Sequence, residues 1–467
     1  MAAGKTISAR RLAINLLNQF DPRRGYAAES LNRLINRTSE QQRATDIVFG
    51  TIRNRRAIDT VIAKFSGRPV TRIPHRLLNI IRSATYELIY RAQSPVYSVV
   101  NEAVENTRAL LGNKQAGFTN AVLRNIARHT RARQAKPAEA DATATLPVGP
   151  ETGCQFDTPF LPDPHLKQAD YLSTAFSLPG WLIECWLSRF GFEQTRQICY
   201  ASNRRPSIYL RPNLLKTTAA DLCGALARAD IEAKVVPGRE MIRIKGASEI
   251  TRLPGFAEGL FSVQDLTAAL AVPALKPQRH WKILDFCAAP GTKATQLAEL
   301  TNDSAQVIAT DIDPERLKLV EQNAARLGIR TIRTLPIETL ERQIGQIGRF
   351  DAVLVDAPCS NTGVLARRIE ARYRITARAV QSLSARQSRL LGKVAPMLKP
   401  TGRICYSTCS ILDAENGDVL RGFLGRHPDF ELESEQLILP SAGLPASADV
   451  QTHFDHDGGY IAVIVRR

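Results

Sequence analysis

Two cysteines stand directly after predicted β-strands, in segments rich in small polar residues. One lies in Asp356-Ala-Pro-Cys359-Ser-Asn-Thr-Gly363 and the other in Tyr406-Ser-Thr-Cys409-Ser410. Ligands of an open α/β sheet bind outside the carboxyl ends of its strands, so both thiols and the Asp356 carboxylate are expected to meet in one cleft. Cys405 lies inside the apolar run of the same strand and is expected to be buried in the core.

Two thiols in one cleft are compatible with a redox pair, a metal site or nucleophilic catalysis. Redox pairs usually have the spacing CxxC, and a metal would need further histidine or cysteine ligands. The eight cysteines form no CxxC pair and no zinc spacing, and His453 and His456 lie in a polar loop without cysteine. No metal site is therefore expected.

Nucleophilic use would solve a specific chemical problem, the methylation of cytosine at C5. A thiolate that adds to C6 converts the ring to an enamine, and C5 becomes electron-rich enough to attack an activated methyl group. A carboxylic acid bonded to N3 stabilises the charge that develops, and a base must then remove the C5 proton so that the thiol can leave. The spacing does not decide between Cys359 and Cys409 as the nucleophile.

A turn of small residues, Cys287-Ala-Ala-Pro-Gly-Thr-Lys293, joins the predicted strand Ile283–Phe286 to a helix. Small residues let a ligand approach the backbone, and a helix start offers free N–H groups. The turn matches neither GxGxxG nor GxxxxGK[ST], so it indicates only a ligand loop of an α/β protein. Asp311 ends the next strand, where a carboxylate can bind ribose hydroxyls, and Asp313 is expected to cap a helix.

These turns lie in a chain that divides into four predicted parts. Residues 1–133 have the apolar periodicity of an all-α bundle. Residues 134–168 contain six prolines and are predicted to be a linker that need not have one conformation. Residues 169–259 indicate a small α+β subdomain, and residues 260–467 alternate strands and helices as in a doubly wound, mostly parallel Rossmann-like sheet. The predicted strands of this last part are 282–286, 306–310, 352–355, 402–406 and 460–465, and its predicted helices are about 292–300, 314–327, 377–398 and 413–426.

The composition narrows the class of protein further. Of the 467 residues 44% are hydrophobic and 23% charged, which excludes a mainly disordered, collagen-like or disulfide-stapled chain. No apolar run is long enough to span a membrane, and nothing indicates export, so a cytoplasmic protein with reduced thiols and no membrane partner is expected. Residues 1–133 hold 23 lysines and arginines against 8 acidic residues, in a chain of net charge +17. Such a basic module attracts nucleic acid.

The residues at 287–293, 356–360 and 408–410 resemble three signature motifs of the RNA (cytosine-5)-methyltransferases, which use S-adenosyl-L-methionine. Phe261-Ser-Val-Gln-Asp265 and Leu210-Arg-Pro-Asn213 resemble the same family. The basic bundle resembles NusB-like RNA-binding bundles, at 101–104 and 117–124. A NusB-like bundle fused to this core is similar to the Sun-type methyltransferases of the small ribosomal subunit RNA.

The resemblance implies a class I methyltransferase sheet and a role for each motif residue. Cys409 would be the nucleophile at C6, Cys359 would assist product release, and Asp356 would meet the pyrimidine and border the cofactor. The cofactor, S-adenosyl-L-methionine, would be bound by Cys287, Ala288, Ala289, Pro290, Gly291, Thr292, Lys293, Asp311 and Asp356. The implied partner is 16S rRNA, either free or in an early assembly state, and no DNA partner is expected. The enzyme is expected to be a monomer. The alternatives are a transfer-RNA methyltransferase of the same chemistry, or a non-catalytic RNA-binding factor with a decayed methyltransferase core.

The chain departs from the family pattern at three places. Thr292 stands where the family usually has glycine, and 335–338 reads Leu-Pro-Ile-Glu instead of a Gly-Asp pair that follows the third strand. Residues 368–373 replace a stretch associated with RNA contacts. The predicted α+β subdomain and the basic bundle could bind RNA instead. The candidate cations of the subdomain are Arg204, Arg205, Arg211 and Lys216.

Overall fold

The computed structural model describes residues 7–245, 249–443 and 454–467, so His453 lies outside the described residues. The chain forms two compact units. The first unit is Met1–Arg204 with Leu365–Arg374, and the second unit is Arg205–Val364 with Ile375–Arg467. The division at Arg204 falls inside the predicted α+β subdomain, and the four-part division stays a prediction.

The first unit is a helical bundle, as the apolar periodicity of residues 1–133 predicts. The residues of α1 and α3 that recur at helical spacing, such as Leu12, Leu16 and Ile47, are buried together. Ser8 caps α1 by accepting a hydrogen bond from the Arg11 amide. The helices are α1 Ala9–Gln19, α2 Ala27–Asn32, α3 Gln41–Arg53, α4 Arg55–Ser66, α5 His75–Tyr90, α6 Val96–Leu111, α7 Asn113–His129, α8 Gln168–Ala175 and α9 Gly180–Asn203.

The segment predicted to be a linker differs from that expectation. It contains most of a three-stranded antiparallel sheet of order β1-β3-β2. The strands are β1 Thr130–Ala135, β2 Thr145–Pro147 and β3 Gly153–Phe156. Leu146, Cys154 and Phe156 are fully buried, and the Phe156 ring stacks on Phe65 of α4. Strands of three to six residues are too short for an alternating pattern to reveal them, so the prolines dominate the sequence signal.

The short segment Leu365–Arg374, which ends in α15 Ala371–Arg374, packs within the first unit. Ile369 is fully buried in the core formed by α1 and α3. The Arg372 guanidinium donates hydrogen bonds to the carbonyl oxygens of Arg53, Ser202 and Leu365. Arg372 is therefore buried in a structural role, in the stretch that departs from the family pattern.

A small antiparallel sheet, of order β5-β6-β4-β7, begins the second unit. It carries α10 on one face, where Leu210, Leu222 and Phe261 share a core. The elements are β4 Ile208–Pro212, α10 Ala219–Ala227, β5 Ala233–Val235, β6 Ile242–Ile244 and β7 Phe261–Val263.

The large sheet of the second unit has the order β10-β9-β8-β11-β12-β14-β13. The first five strands in this order are parallel, β14 is antiparallel to β12, and β13 is antiparallel to β14. This arrangement confirms the predicted Rossmann-like class. The strands are β8 Lys282–Asp285, β9 Gln306–Asp311, β10 Ile332–Pro336, β11 Phe350–Asp356, β12 Leu398–Thr408, β13 Phe430–Ile438 and β14 Gly459–Arg466. The helices are α11 Ala271–Leu275, α12 Thr292–Leu300, α13 Pro314–Leu327, α14 Ile337–Ile347, α16 Ala377–Val394 and α17 Gly417–Arg426.

Strand β13 is absent from the sequence prediction because most of its side chains are exposed, so it lacks an alternating apolar pattern. It is an edge strand, paired only with β14 among the described strands. None of the helices in the described part of the chain has the length and apolar character that a membrane span needs.

Candidate active site

A cavity of about 260 Å³ opens at the carboxyl ends of β8 and β11. Of the predicted cofactor residues, Cys287–Pro290, Thr292, Lys293 and Asp356 line it, and Gly291 and Asp311 do not. The cavity is also lined by Val263, Gln264, Asp265, Ala268 and Asp285. Gly291 has φ +100°, and a Cβ there would lie 3.0 Å from Cα of Val320, so the turn requires glycine at this position.

Lys293 and Asp356 form an ion pair in this cavity, with Nζ 2.5 Å from Oδ2. Burial disfavours the ammonium, but the carboxylates of Asp356 and Asp285 outweigh it and raise the pKa of Lys293. The other oxygen of Asp356, Oδ1, accepts a hydrogen bond of 2.8 Å from Ser407 of β12. The Asp356 carboxylate is thus held by Lys293 of helix α12 and by Ser407 of strand β12, with its side chain 38% exposed.

Asp285 is a buried carboxyl group that the sequence analysis did not single out. Burial, and next the charge of Asp356, raise its pKa from 3.8 to about 8. The Cys287 amide approaches it, but neither carboxylate oxygen has a hydrogen bond of standard geometry to any residue that the structure describes. Its place as the last residue of β8 was an available signal, because ligands bind at strand ends.

Asp311 lies behind the turn. Its Oδ2 accepts a 3.2 Å hydrogen bond from the Ala289 amide, and Nη1 of Arg316 lies 3.8 Å from its Oδ1. The side chain of Asp313 accepts hydrogen bonds from the amides of Glu315 and Arg316, which confirms its predicted role as the cap of α13. Asp311 therefore contacts the turn, although it does not line the cavity.

The two cysteines that follow β11 and β12 are in contact, with 2.9 Å between Sγ of Cys359 and Sγ of Cys409. Cys409 also lies 3.2 Å from Oδ1 of Asn361. The hydrogen bond with Cys409, burial and the charge of Glu415 raise the pKa of Cys359 well above its usual value. Cys405 is fully buried, and desolvation raises its pKa to about 12, so the prediction that it belongs to the core is confirmed.

The thiol pair lies next to the cavity rather than in its lining. Neither sulfur is among the described residues that line it, yet Cys409 is near enough to contribute to the raised pKa of Lys293. The loops that carry the sulfurs approach closely, since the Gly363 amide donates a 2.9 Å hydrogen bond to the Cys409 carbonyl. A Cβ at Gly363 would lie 2.5 Å from the carbonyl oxygen of Gly458.

Arg211 is not the surface cation that the sequence analysis considered for RNA binding. It is 5% exposed and forms an ion pair of 2.9 Å with Glu299 of α12. It also donates to the Thr292 carbonyl at 3.0 Å. Arg211 thus holds the turn 287–293 against the small sheet. Lys216 and Arg205 are exposed, and Arg204 is half-buried.

Three family profiles match successive parts of the chain. Residues 7–128 match the NusB family, residues 178–251 the RsmF/B-like ferredoxin-like domain, and residues 272–463 the family described as 16S rRNA methyltransferase RsmB/F. With the sheet and its strand-end cavity, these matches define a methyltransferase joined to a NusB-type helical domain.

Curated relatives match over nearly the full length. "Probable ribosomal RNA small subunit methyltransferase B" of Bacillus subtilis is 31% identical over 474 residues, covering 98% of each chain. "Ribosomal RNA small subunit methyltransferase B" of Klebsiella pneumoniae is 30% identical over 469 residues, covering 99% of each. The chain belongs to the ribosomal RNA small subunit methyltransferase B family.

Solved structures share the fold. The crystal structure of PH0851 has a TM-score of 0.70 at 24% identity and covers 98% of this chain and 99% of its own. A methyltransferase homolog protein from Pyrococcus horikoshii has a TM-score of 0.53 at 26% identity, covering 66% of this chain and 100% of its own. NSun6 from the same organism, solved with SFG, has a TM-score of 0.52 at 19% identity, covering 62% and 98%.

Proposed function

We propose that this protein transfers a methyl group from S-adenosyl-L-methionine to C5 of a cytosine in 16S rRNA, through a covalent bond between Cys409 and C6. The observation that carries the proposal is the 2.9 Å contact between two thiols that follow neighbouring strands, beside the cavity of Lys293 and Asp356. The family to which the chain belongs supports ribosomal RNA as the substrate class.

The cavity fits the chemistry of S-adenosyl-L-methionine, which supplies a methyl group made electrophilic by its sulfonium. Asp285 is a buried carboxyl whose oxygens form no hydrogen bond of standard geometry with the residues that the structure describes, and it suits the cofactor's ammonium group. Lys293 suits the cofactor's carboxylate, and the small residues of 287–291 allow close approach to the backbone. Asp311, at the end of β9, would bind the ribose.

The electrostatics of the thiol pair support Cys409 as the nucleophile. The ionisation of Cys359 is opposed by its hydrogen bond to Cys409, by burial and by Glu415, which raise the pKa of Cys359. The raised pKa means that Cys359 keeps its proton more readily, so its S–H can donate a hydrogen bond to Sγ of Cys409. Asp356, in its protonated form, would donate a hydrogen bond to N3 of the pyrimidine as negative charge develops there. Cys359 would then assist release, once the C5 proton has been removed.

Transfer of tritiated methyl groups to 16S rRNA tests the proposal. The wild-type protein should label the RNA, whereas Cys409→Ala should give no label but still bind S-adenosyl-L-methionine in calorimetry. Equal labelling by this variant would refute Cys409 as the nucleophile. A wild-type protein without cofactor affinity would indicate a non-catalytic RNA-binding factor.

The substrate RNA is tested in parallel assays on 16S rRNA and transfer RNA. Preference for transfer RNA would overturn the ribosomal assignment while leaving the chemistry in place. Mass spectrometry of ribosomal RNA from a deletion strain should show the loss of one 5-methylcytosine, which identifies the target base.

A further inference from the structure

Glu415 is a buried carboxylate to which the proposed chemistry gives no task. It ends a short 3-10 turn, Asp413–Glu415, between β12 and α17, and it is fully buried. Its oxygens accept hydrogen bonds from the Ser360 amide at 2.8 Å, the Ser410 hydroxyl at 2.6 Å and the Gln387 side chain at 3.3 Å. The Ser360 hydroxyl donates to it as well.

Two of the residues that donate hydrogen bonds to Glu415 are the chain neighbours of the two cysteines. Ser360 directly follows Cys359, and Ser410 directly follows Cys409. One carboxylate therefore joins the two loops that carry the sulfurs. Burying a carboxylate is costly, and a neutral side chain could fill the same space without that cost, so packing alone gives no reason for an acid here.

We propose that Glu415 is the positioning residue of the thiol pair: by bonding Ser360 and Ser410 together, it sets the separation between Sγ of Cys359 and Sγ of Cys409. The inference rests on the proposed function and adds a residue to the same site. The charge of Glu415 acts in the same direction, because it contributes to the raised pKa of Cys359 and so favours the neutral S–H donor there.

The loops have other contacts that should keep them folded when Glu415 is changed. Oγ1 of Thr362 lies 2.9 Å from Oγ of Ser410. The Gly363 amide bonds the Cys409 carbonyl, and the Asn416 side chain donates a 2.9 Å hydrogen bond to the Ser410 carbonyl. A glutamine at 415 also keeps one acceptor oxygen and the side-chain volume.

The distance between the sulfurs can be measured without RNA or methyl transfer. Diamide takes up two electrons and two protons as the two S–H bonds are replaced by one S–S bond, and peptide mass mapping identifies the Cys359–Cys409 disulfide. The wild-type protein should form this bond rapidly. Glu415→Gln should form it more slowly, by about tenfold or more, since misplacement by about 1 Å has effects of that size on reacting groups.

The second readout is catalysis on the substrate RNA. Glu415→Gln should lower kcat for methyl transfer by about 10²-fold while the melting temperature and the affinity for S-adenosyl-L-methionine stay close to wild type. Glu435→Gln is the matched control, because Glu435 is an exposed acid of the same unit. Among the described contacts its side chain accepts one hydrogen bond, of 2.8 Å, from the Tyr460 hydroxyl. Glu435→Gln should leave both readouts unchanged.

Two results would overturn the inference. One is disulfide formation at the wild-type rate in Glu415→Gln, and the other is a parallel loss of cofactor affinity and melting temperature, which would assign Glu415 to folding. If Glu415→Gln does not fold, Ser360→Ala and Ser410→Ala replace it, each removing one hydroxyl donor, and wild-type disulfide rates in both would overturn the inference equally. A wild-type protein that methylates no RNA would refute the proposed function alone, since the disulfide assay does not depend on it.

Discussion

At the scale of single residues, the candidate site is an excess of carboxyl groups around one cation. The charges of Asp356 and Asp311 both raise the pKa of Asp285, so the three carboxyl groups are close enough to interact. Lys293 pairs directly with Asp356. Burial makes ionisation of Asp285 costly in the absence of a ligand. A cationic guest would relieve this cost, which is why the electrostatics favour a sulfonium and an ammonium group in the cavity.

The raised pKa of Asp285 predicts a specific dependence of stability on pH. The native carboxyl keeps its proton up to a pKa of about 8, whereas in the unfolded chain it loses the proton near 3.8. Between these values the native state binds more protons, so this group lowers the free energy of unfolding as pH rises through that window. Asp285→Asn should therefore show a flatter pH dependence than wild type in urea unfolding at pH 5, 6.5 and 8 without cofactor.

The control for this experiment is Asp351→Asn, an acid of the same unit that pairs with Lys399 at 2.7 Å and lies outside the cavity lining. It should not flatten the curve between pH 5 and 8. Equal pH slopes for wild type and Asp285→Asn would contradict the raised pKa of Asp285.

The proposed division of labour between the sulfurs predicts different outcomes for the two cysteine variants. Cys359→Ala keeps the nucleophile but lacks the residue that assists release, so a covalent complex with the RNA should accumulate. The complex is measured as a slow band on denaturing gels with labelled RNA. The double variant Cys359→Ala/Cys409→Ala is the control and should give no band, and a band that persists in it would show that another residue forms the bond.

At the scale of elements, Arg211 connects the small sheet to the helix that follows the turn 287–293. It lies on β4, pairs with Glu299 of α12 and bonds the carbonyl of Thr292, the first residue of that helix. Because the ion pair is buried, it stabilises the fold only while both partners are present, since either charge alone would be buried without a partner. The position of the turn thus depends on a residue about 80 positions earlier in the chain.

Removal of one partner should be costly. Arg211→Met leaves the Glu299 carboxylate buried and unpaired, and we expect a loss of about 3–5 kcal/mol in the free energy of unfolding. Arg211→Met/Glu299→Met should be less destabilised than the single variant, because no charge is left without a partner. Urea unfolding, followed at the transition of the second unit, measures the free energy of unfolding of both variants. A double variant at least as unstable as the single variant would contradict the buried ion pair.

At the scale of the whole molecule, the uneven charge is the main feature relevant to RNA. Residues 1–133 carry a surplus of 15 positive charges out of a net +17. Binding that neutralises phosphates releases counterions, so the affinity for RNA should fall steeply with salt. Residues 1–133 of the first unit, rather than the buried Arg211, are expected to provide the salt-dependent part of the affinity for RNA.

Matched triple variants test where the contribution lies. Arg37, Arg76 and Arg124 are exposed arginines of the first unit, and Arg330, Arg342 and Arg349 are exposed arginines of the second. Changing the first set to glutamine should reduce the slope of log affinity against log salt by up to about 0.7 per lost phosphate contact. The second set removes the same charge and should change the slope less, as measured by filter binding at several KCl concentrations. Equal slopes for the two variants would contradict a dominant role of the first unit.

Much of the fold could be predicted because it depends on local patterns. The alternation of apolar strands, small-residue turns and amphipathic helices indicates the parallel sheet, and the segments after β11 and β12 place Cys359 and Cys409 at neighbouring strand ends. The helical bundle follows from its periodicity in the same way. The exposed edge strand β13 and the short strands of the supposed linker lack such a pattern, so they could not be predicted.

The sequence by itself determined the class of sheet, the composition of the turn 287–293 and the position of two thiols and one carboxylate after neighbouring strands, because these depend on chain order and residue type. Tertiary structure alone decided that burial raises the pKa of Asp285, that Arg211 is buried, that Leu365–Arg374 belongs to the first unit and that Glu415 joins the cysteine loops. The physical reason is that desolvation and hydrogen-bond partners are set by residues distant in the chain, and no local pattern records which of them will meet.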